Sequence, residues 1–221
     1  MNLSSEKKEY IESTLDDRTL GHLYPILEVG QIACKDFFAK NREFFDIPEL
    51  LNNVPGHILT YCINKQLAPG KIPARFPFSV SIEEINKNNK SNAPFLKKGS
   101  ITISILRCRS RKKLDSSDKI YLADRCKSND ILDGQLTYLE SEVFGDENLH
   151  GVLIYGAQKE YDGFEFADIV FFDNHLRKAN YSINIMDKLK IYRSQADESE
   201  KLKNLLNAES LIKEIKKEME V

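Results

Sequence analysis

Residues Phe164–Phe172 read FEFADIVFF, a run interrupted only by Glu165 and Asp168. Beyond its first residues the run is apolar on both faces. A strand of this composition belongs at the centre of a sheet with a packed layer on each side. Val152–Tyr155 precedes it, and Gly156–Gly163 supplies turn-forming residues between the two, so the pair is expected to be antiparallel. Ser100–Cys108 alternates, with Ile101, Ile103 and Ile105 facing one way and Thr102 and Ser104 the other. Leu136–Leu139 reads as a short strand and Tyr181–Ile185 as a weakly alternating one.

Helical spacing dominates the first third. Leu20, Leu23, Tyr24, Leu27, Gln31, Cys34, Phe38 and Phe45 recur at steps that place them on one helical face. Either that helix begins at Pro25, with proline at its first position, or it is kinked there. Asp46–Glu49 reads as a new helix start. Leu59, Cys62, Ile63 and Leu67 form another stripe, closed by Pro69-Gly70. Ser81-Ile82-Glu83-Glu84 matches a capping box and predicts a short helix. Asn86–Asn92 is rich in Asn and Lys and predicts an exposed loop. Asp115–Asp118 can start a helix through Ile120, Ala123 and Arg125. Ser194–Asp197 can cap a final helix with Leu202, Leu205, Leu206, Ile212, Ile215 and Met219 on one stripe. Glu209 and Lys216 break its heptad seam, which favours packing on the body of the protein over a dimer helix.

The expected fold class is therefore α+β, with an N-terminal helical region, a central mainly antiparallel sheet and a C-terminal amphipathic helix. Residues 1–193 form a single domain on this reading, with a helical subregion at 1–68 and a sheet-containing core at 76–192. Residues 194–221 form the helix packed on it. The paired phenylalanines Phe37-Phe38, Phe44-Phe45 and Phe171-Phe172 read as core.

Charge is strongly segregated. Ile85–Leu114 holds nine Lys or Arg and no acid, whereas Asp115–Asp173 holds fourteen acids and four bases. The net charge of -2 conceals this polarity. A one-sign surface can attract an anionic partner. Arg107, Arg109 and Arg111 continue the isoleucine face if the strand persists, and Lys112 and Lys113 follow. These five residues are the candidate polyanion-binding set. The competing expectation is internal pairing of the arginines with Glu165, Asp168 or Asp173 on an adjacent strand.

Other classes lack their signatures. No apolar stretch approaches the ~20 residues of a membrane helix, and the first residues lack the apolar core of a signal peptide. Cys34, Cys62, Cys108 and Cys126 are scattered without a CxxC pair, which fits reduced thiols in a cytoplasmic protein. The Asn-, Ile- and Lys-rich composition suits a bacterial source. No phosphate-cradling or dinucleotide Gly-rich loop occurs, nor a Gly-x-Ser-x-Gly elbow. No cofactor or metal is expected.

Glu165, Asp168 and Asp173, with Asp146 and Glu147, are the weak candidates for holding a catalytic cation. Restriction-endonuclease-like enzymes pair an Asp with Glu-x-Lys on adjoining strands. Here the strand reads Glu165-Phe166-Ala167, and Lys159 falls in the turn, so the motif is not met. By parity, Asp168 shares a face with Phe164, Phe166, Val170 and Phe172. Of the four histidines, His150 and His175 flank the predicted hairpin and are the pair that topology could bring together. The leading expectation is a non-enzymatic binding protein with a protein or nucleic-acid partner and no membrane. A metal-dependent nuclease or phosphodiesterase using carboxylates of residues 146–173 is the alternative.

Overall fold

The computed structural model describes residues 5–45, 54–72, 75–86, 91–109, 111, 114, 120–130, 148–158 and 163–188. Helices α1 (Ser5–Thr14), α2 (Asp17–Gly21) and α3 (Leu23–Lys40) open the chain, and a 3-10 turn (Arg42–Phe44) follows. Asp16 caps α2 by accepting a bond from the Thr19 amide at 2.8 Å. Pro25 sits in the first turn of α3, where a backbone N–H has no helical partner to lose. There is thus neither a start at Pro25 nor an internal break: the helix begins two residues earlier. Helix α4 (Val54–Gln66) also carries its proline, Pro55, in the first turn. Gly70 closes the segment beyond it in the left-handed region, at φ 81.

Six strands follow in chain order across one sheet: β1 (Ser79–Asn86), β2 (Ser91–Lys98), β3 (Ile101–Arg107), β4 (Leu149–Ala157), β5 (Phe164–Phe172) and β6 (Ala179–Asn184). Every neighbouring pair is antiparallel except β3 and β4. The molecule is accordingly α+β with a mainly antiparallel sheet. A parallel pair needs a crossover. This one occupies residues 108–148 and includes α5 (Ile120–Arg125) and a second 3-10 turn (Cys126–Asp130).

The sheet is covered on both faces. Leu96, Ile101, Ile103, Ile105, Leu153, Ile169 and Phe171 pack beneath the N-terminal helices with Ile11, Leu20, Leu27, Leu59 and Ile63. On the opposite face Val152, Ile154, Phe166, Val170 and Phe172 pack with Leu122 and Cys126 of the crossover. In β5 only Glu165 is exposed, as expected of a strand with two apolar faces. Burying six or so such side chains per layer is worth roughly 1.5–3 kcal/mol each relative to exposure.

Three sequence expectations fail. Residues 81–84 are not a helix but part of β1, pairing with β2 in the register Ser81↔Phe95 and Glu83↔Ala93. Val80 and Ile82 alternate with serine and glutamate, and the available partner strand outweighs a four-residue capping pattern. The Ser81 hydroxyl donates to Glu83 Oε1 at 2.8 Å along the same strand face rather than capping a helix. Phe164 does not share the Asp168 face. A register shift at Gly156/Ala157 sends Phe164 to the helical layer, while Phe166 stays on the crossover side. Phe37 and Phe44 are not core: they are 40% and 73% exposed. The predicted elements at 46–49, 136–139 and 194–221 lie outside the described residues.

Candidate functional site

The basic block divides at the end of β3. Arg107, its last residue, stays on the isoleucine face and reaches under α4. Its Nη1 lies 1.4 Å from where a Cβ on Gly56 would sit, so a side chain there would displace the guanidinium from its present position. The Cys108 amide then donates to Tyr155 O at 2.9 Å, and the strand ends. Arg111 emerges on the opposite face. Its Nε approaches Asp168 Oδ2 to 2.6 Å and its Nη2 donates to Oδ1 at 3.3 Å. The guanidinium also stands 5.7 Å from the Phe166 ring centre. Arg109 is exposed. Lys112 and Lys113 lie outside the described residues. The alternation of arginines therefore does not become one cationic row: the chain leaves the strand, and parity ends with it.

The candidate carboxylates occupy three separate settings. Glu165 is exposed at the start of β5. Asp168 is buried on the crossover face, and burial pushes its carboxyl up despite the opposing effect of Arg111. Oδ2 sits close to Arg111 but outside hydrogen-bonding alignment, so the attraction there is chiefly Coulombic. Asp173 folds the β5–β6 turn: its Oδ1 accepts from the amides of Arg177 at 2.8 Å and Lys178 at 3.2 Å. No acid occurs on β2, β3 or β4. Among the described residues no three His, Cys, Asp or Glu side chains gather as metal ligands. Asp146, Glu147 and Lys159 lie outside them.

A buried polar cluster lies under the crossover. His150 is 2% exposed, and its Nε2 lies 2.5 Å from the Ser104 hydroxyl oxygen. Asn129 makes three bonds around it: Nδ2 donates to His150 O at 2.8 Å and Phe172 O at 2.9 Å, and Oδ1 accepts from His150 N at 3.0 Å. Those bonds tie β4 to β5 beyond the last paired positions of their ladder, Val152 and Val170. Arg125 lies over the Phe95 ring at 4.0 Å and pairs with Glu83. Burial, aided by the Arg125 charge, pushes the imidazole down to about 3, so it is neutral. A serine beside a neutral histidine could in principle be activated as a nucleophile. Here both residues are sealed in the interior, and the cluster serves to fasten the crossover. His175 is exposed in the β5–β6 turn, and the partners of His150 are Ser104, Asn129 and the Phe95 ring.

The most open chemistry lies on the outer side of α3 and α4. Residues 29, 33 and 37 recur every four positions along α3, as do 57, 61 and 65 along α4, and each set forms a ridge. Between the ridges runs a groove of about 620 Å³ lined by Ala33, Phe37, Ile58, Tyr61 and Cys62, with His57, Lys65 and Lys71 at its rim. Val29 is 49% exposed, Ile32 54%, Tyr61 65% and Phe44 73%. On the inner side the helices meet closely, with a Cβ at Gly30 falling 2.7 Å from the Ile63 Cα. Burial pushes the Cys34 thiol up to about 12 and raises Cys62 as well, so neither is a reactive thiolate.

The stripe reading of α3 identified its buried side but not this one. The signal was present: Val29, Ile32 and Phe37 are apolar residues left off the Leu23–Leu27–Gln31–Cys34 face. No protein family, curated protein or solved structure matches this chain. The fold and the site define an α+β molecule whose helical layer presents an apolar groove outward. Among the described residues no helix is long and apolar enough to cross a membrane.

Proposed function

We propose that this protein acts by binding, and that the outer face of α3 and α4 receives an amphipathic helix of a partner polypeptide. The observation that carries this reading is the concentration of exposed apolar side chains there. Of the eight large hydrophobics exposed among the described residues, Val29, Ile32, Phe37, Phe44, Val54 and Tyr61 lie on or beside these two helices. Phe37 and Tyr61 line the same groove, and apolar surface gathered in this way marks interaction sites. A two-ridge groove suits the i, i+3, i+4, i+7 anchors of a helix. Lys65 and Lys71 at the rim favour a partner with acidic flanks.

This reading moves the binding surface away from Arg107–Lys113. Arg107 is committed beneath α4 and Arg111 to Asp168, which leaves little support for a phosphate-tracking row. In its native cell the tagged full chain should migrate in a complex larger than its own 25.4 kDa. Nuclease should leave that complex intact, and Phe37→Asp, in the groove lining, should return the chain to its own size. A complex dissolved by nuclease and indifferent to Phe37→Asp would contradict the reading.

A further inference from the structure

We propose that the outer edge of β6 is a second docking site, which takes an extended segment of another protein bearing Lys or Arg at alternate positions. The site shares no lining residue with the α3–α4 groove. β6 ends the sheet, and among the described residues no strand pairs with its outer edge. A cavity of about 530 Å³ lies against Tyr181, Ser182, Ile183 and Asn184. Successive side chains of a strand point to opposite faces. A cavity that touches four residues in a row therefore runs along an edge of the strand rather than over one face. The other edge of β6 is occupied by β5, so the cavity follows the free one.

The corner between α1 and α2 borders the same space, where Leu15 and Leu20, both buried, help to line it. An unpaired edge is a row of backbone donors and acceptors open to a further strand, and sheets commonly guard it with charge, proline or a bulge. The opposite edge strand, β1, carries Glu83 and Glu84 and a register shift beside them. β6 reads ANYSIN, with no charged residue and no proline. Its own register shift falls before Tyr181 and so precedes the cavity. An added strand would lie ~4.8 Å from β6. Pairing over residues 181–184 would give it main-chain bonds whatever its sequence, and its alternate side chains would set specificity.

The charge around the cavity selects the occupant. Glu12, Asp16, Asp17 and Asp187 line it, against one cation, Lys188. Lys188 pairs with Asp17 at 2.7 Å, and the charges of Lys98 and Arg18 act on Asp16 from outside the lining. Glu12 and Asp187 meet only neutral donors among the described residues: the Tyr181 hydroxyl at 2.6 Å and Asn184 Nδ2 at 2.9 Å. Such donors leave the carboxylate charge in place. Tyr181 and Ile183 pack toward the helical layer. Side chains of an added strand on that same face recur every ~6.8 Å and point toward the α1–α2 corner. Lysine or arginine at those positions meets complementary charge, whereas acids there are repelled.

The test titrates the purified full chain with a short capped peptide of alternating lysine and threonine. The peptide should bind and slow hydrogen exchange at the amides of residues 181–184, with exchange in α3 and α4 unchanged. Replacing its lysines by glutamate, or introducing Glu12→Gln with Asp187→Asn into the protein, should each weaken binding about tenfold. Two further peptides, N-methylated at every lysine or at every threonine, should differ about tenfold in affinity, because only one set of amides faces β6 in an antiparallel pair. Equal affinities for those two would reduce the contact to charge attraction and overturn the inference. So would absence of binding at about 1 mM peptide, protection of α3 and α4 in place of β6, or self-association of the chain through β6 that excludes the peptide.

Discussion

At the scale of single residues, Asn129 carries more structure than its exposed-looking sequence context suggests. One amide side chain satisfies the His150 amide, the His150 carbonyl and the Phe172 carbonyl, all buried. Asn129→Ala leaves these groups unpaired and should cost about 2–4 kcal/mol, read as a lower urea midpoint at unchanged slope. His150 imposes a pH dependence whose sign follows from its burial. Its folded value, about 3, lies below the ~6.5 of an exposed imidazole. The unfolded chain therefore takes up the proton first. The contribution of His150 is complete above about pH 6.5 and is lost as the pH falls toward about 3. His150→Gln should flatten that limb of a urea-midpoint profile, relative to wild type. Asp168 acts in the opposite sense, since burial raises its carboxyl and the proton it binds favours the folded state at low pH. Arg111→Ala should therefore destabilise the protein by about 1 kcal/mol at neutral pH, given the half-exposed guanidinium, and by less in acid. An equal loss at both pH values in the urea series would contradict that pairing. The partnerships of Asn129 and His150 were not legible in the sequence. Ser104 and His150, and Arg111 and Asp168, are joined only when the crossover sets β3 beside β4. The competing expectation of internal pairing nevertheless named the residue that Arg111 meets.

At the scale of elements, spacing was a good guide wherever one face had to be buried. The α3 stripe Leu23, Leu27, Gln31 and Cys34 is buried as its period implies, and Gln31 Nε2 even donates to Gly163 O at 2.7 Å, fixing α3 to the β4–β5 turn. β5 is buried on both faces for the reason its composition gives. Failure came where a local signal competed with a partner outside the window. The Ser81–Glu84 capping pattern lost to pairing with β2, and the parity of Phe164 was reset by a register shift invisible to a two-residue period. The α3–α4 contact shows how little tolerance such packing has. A methyl on Gly30 would fall within 3 Å of the Ile63 backbone, which cannot rotate away. Gly30→Ala should lower the thermal midpoint and cost about 1–3 kcal/mol, despite improving intrinsic helix propensity. A gain in stability would mean that the helices sit farther apart than described.

At the scale of the whole molecule, the α+β class and the double cover of the sheet followed from composition, because a strand such as FEFADIVFF needs a layer on each face. The strand order and the parallel β3–β4 pair did not, since periodicity says nothing about which strands are neighbours. Folding scatters the basic end of β3: Arg111 is paired with Asp168, Arg107 approaches Gly56 of α4, and Arg109 lies at the surface. The surface that stands out is apolar and lies on the helical layer. The account's central claim is that this surface, not the basic segment, is where the protein is engaged. The direct measurement places a photoreactive benzoyl-phenylalanine at Tyr61 in one full-length version and at Arg109 in another, and compares their adducts in the native cell. The account predicts a polypeptide adduct from position 61, lost with Phe37→Asp, and no nucleic-acid adduct from position 109. A nucleic-acid adduct at 109 with nothing captured at 61 would contradict it.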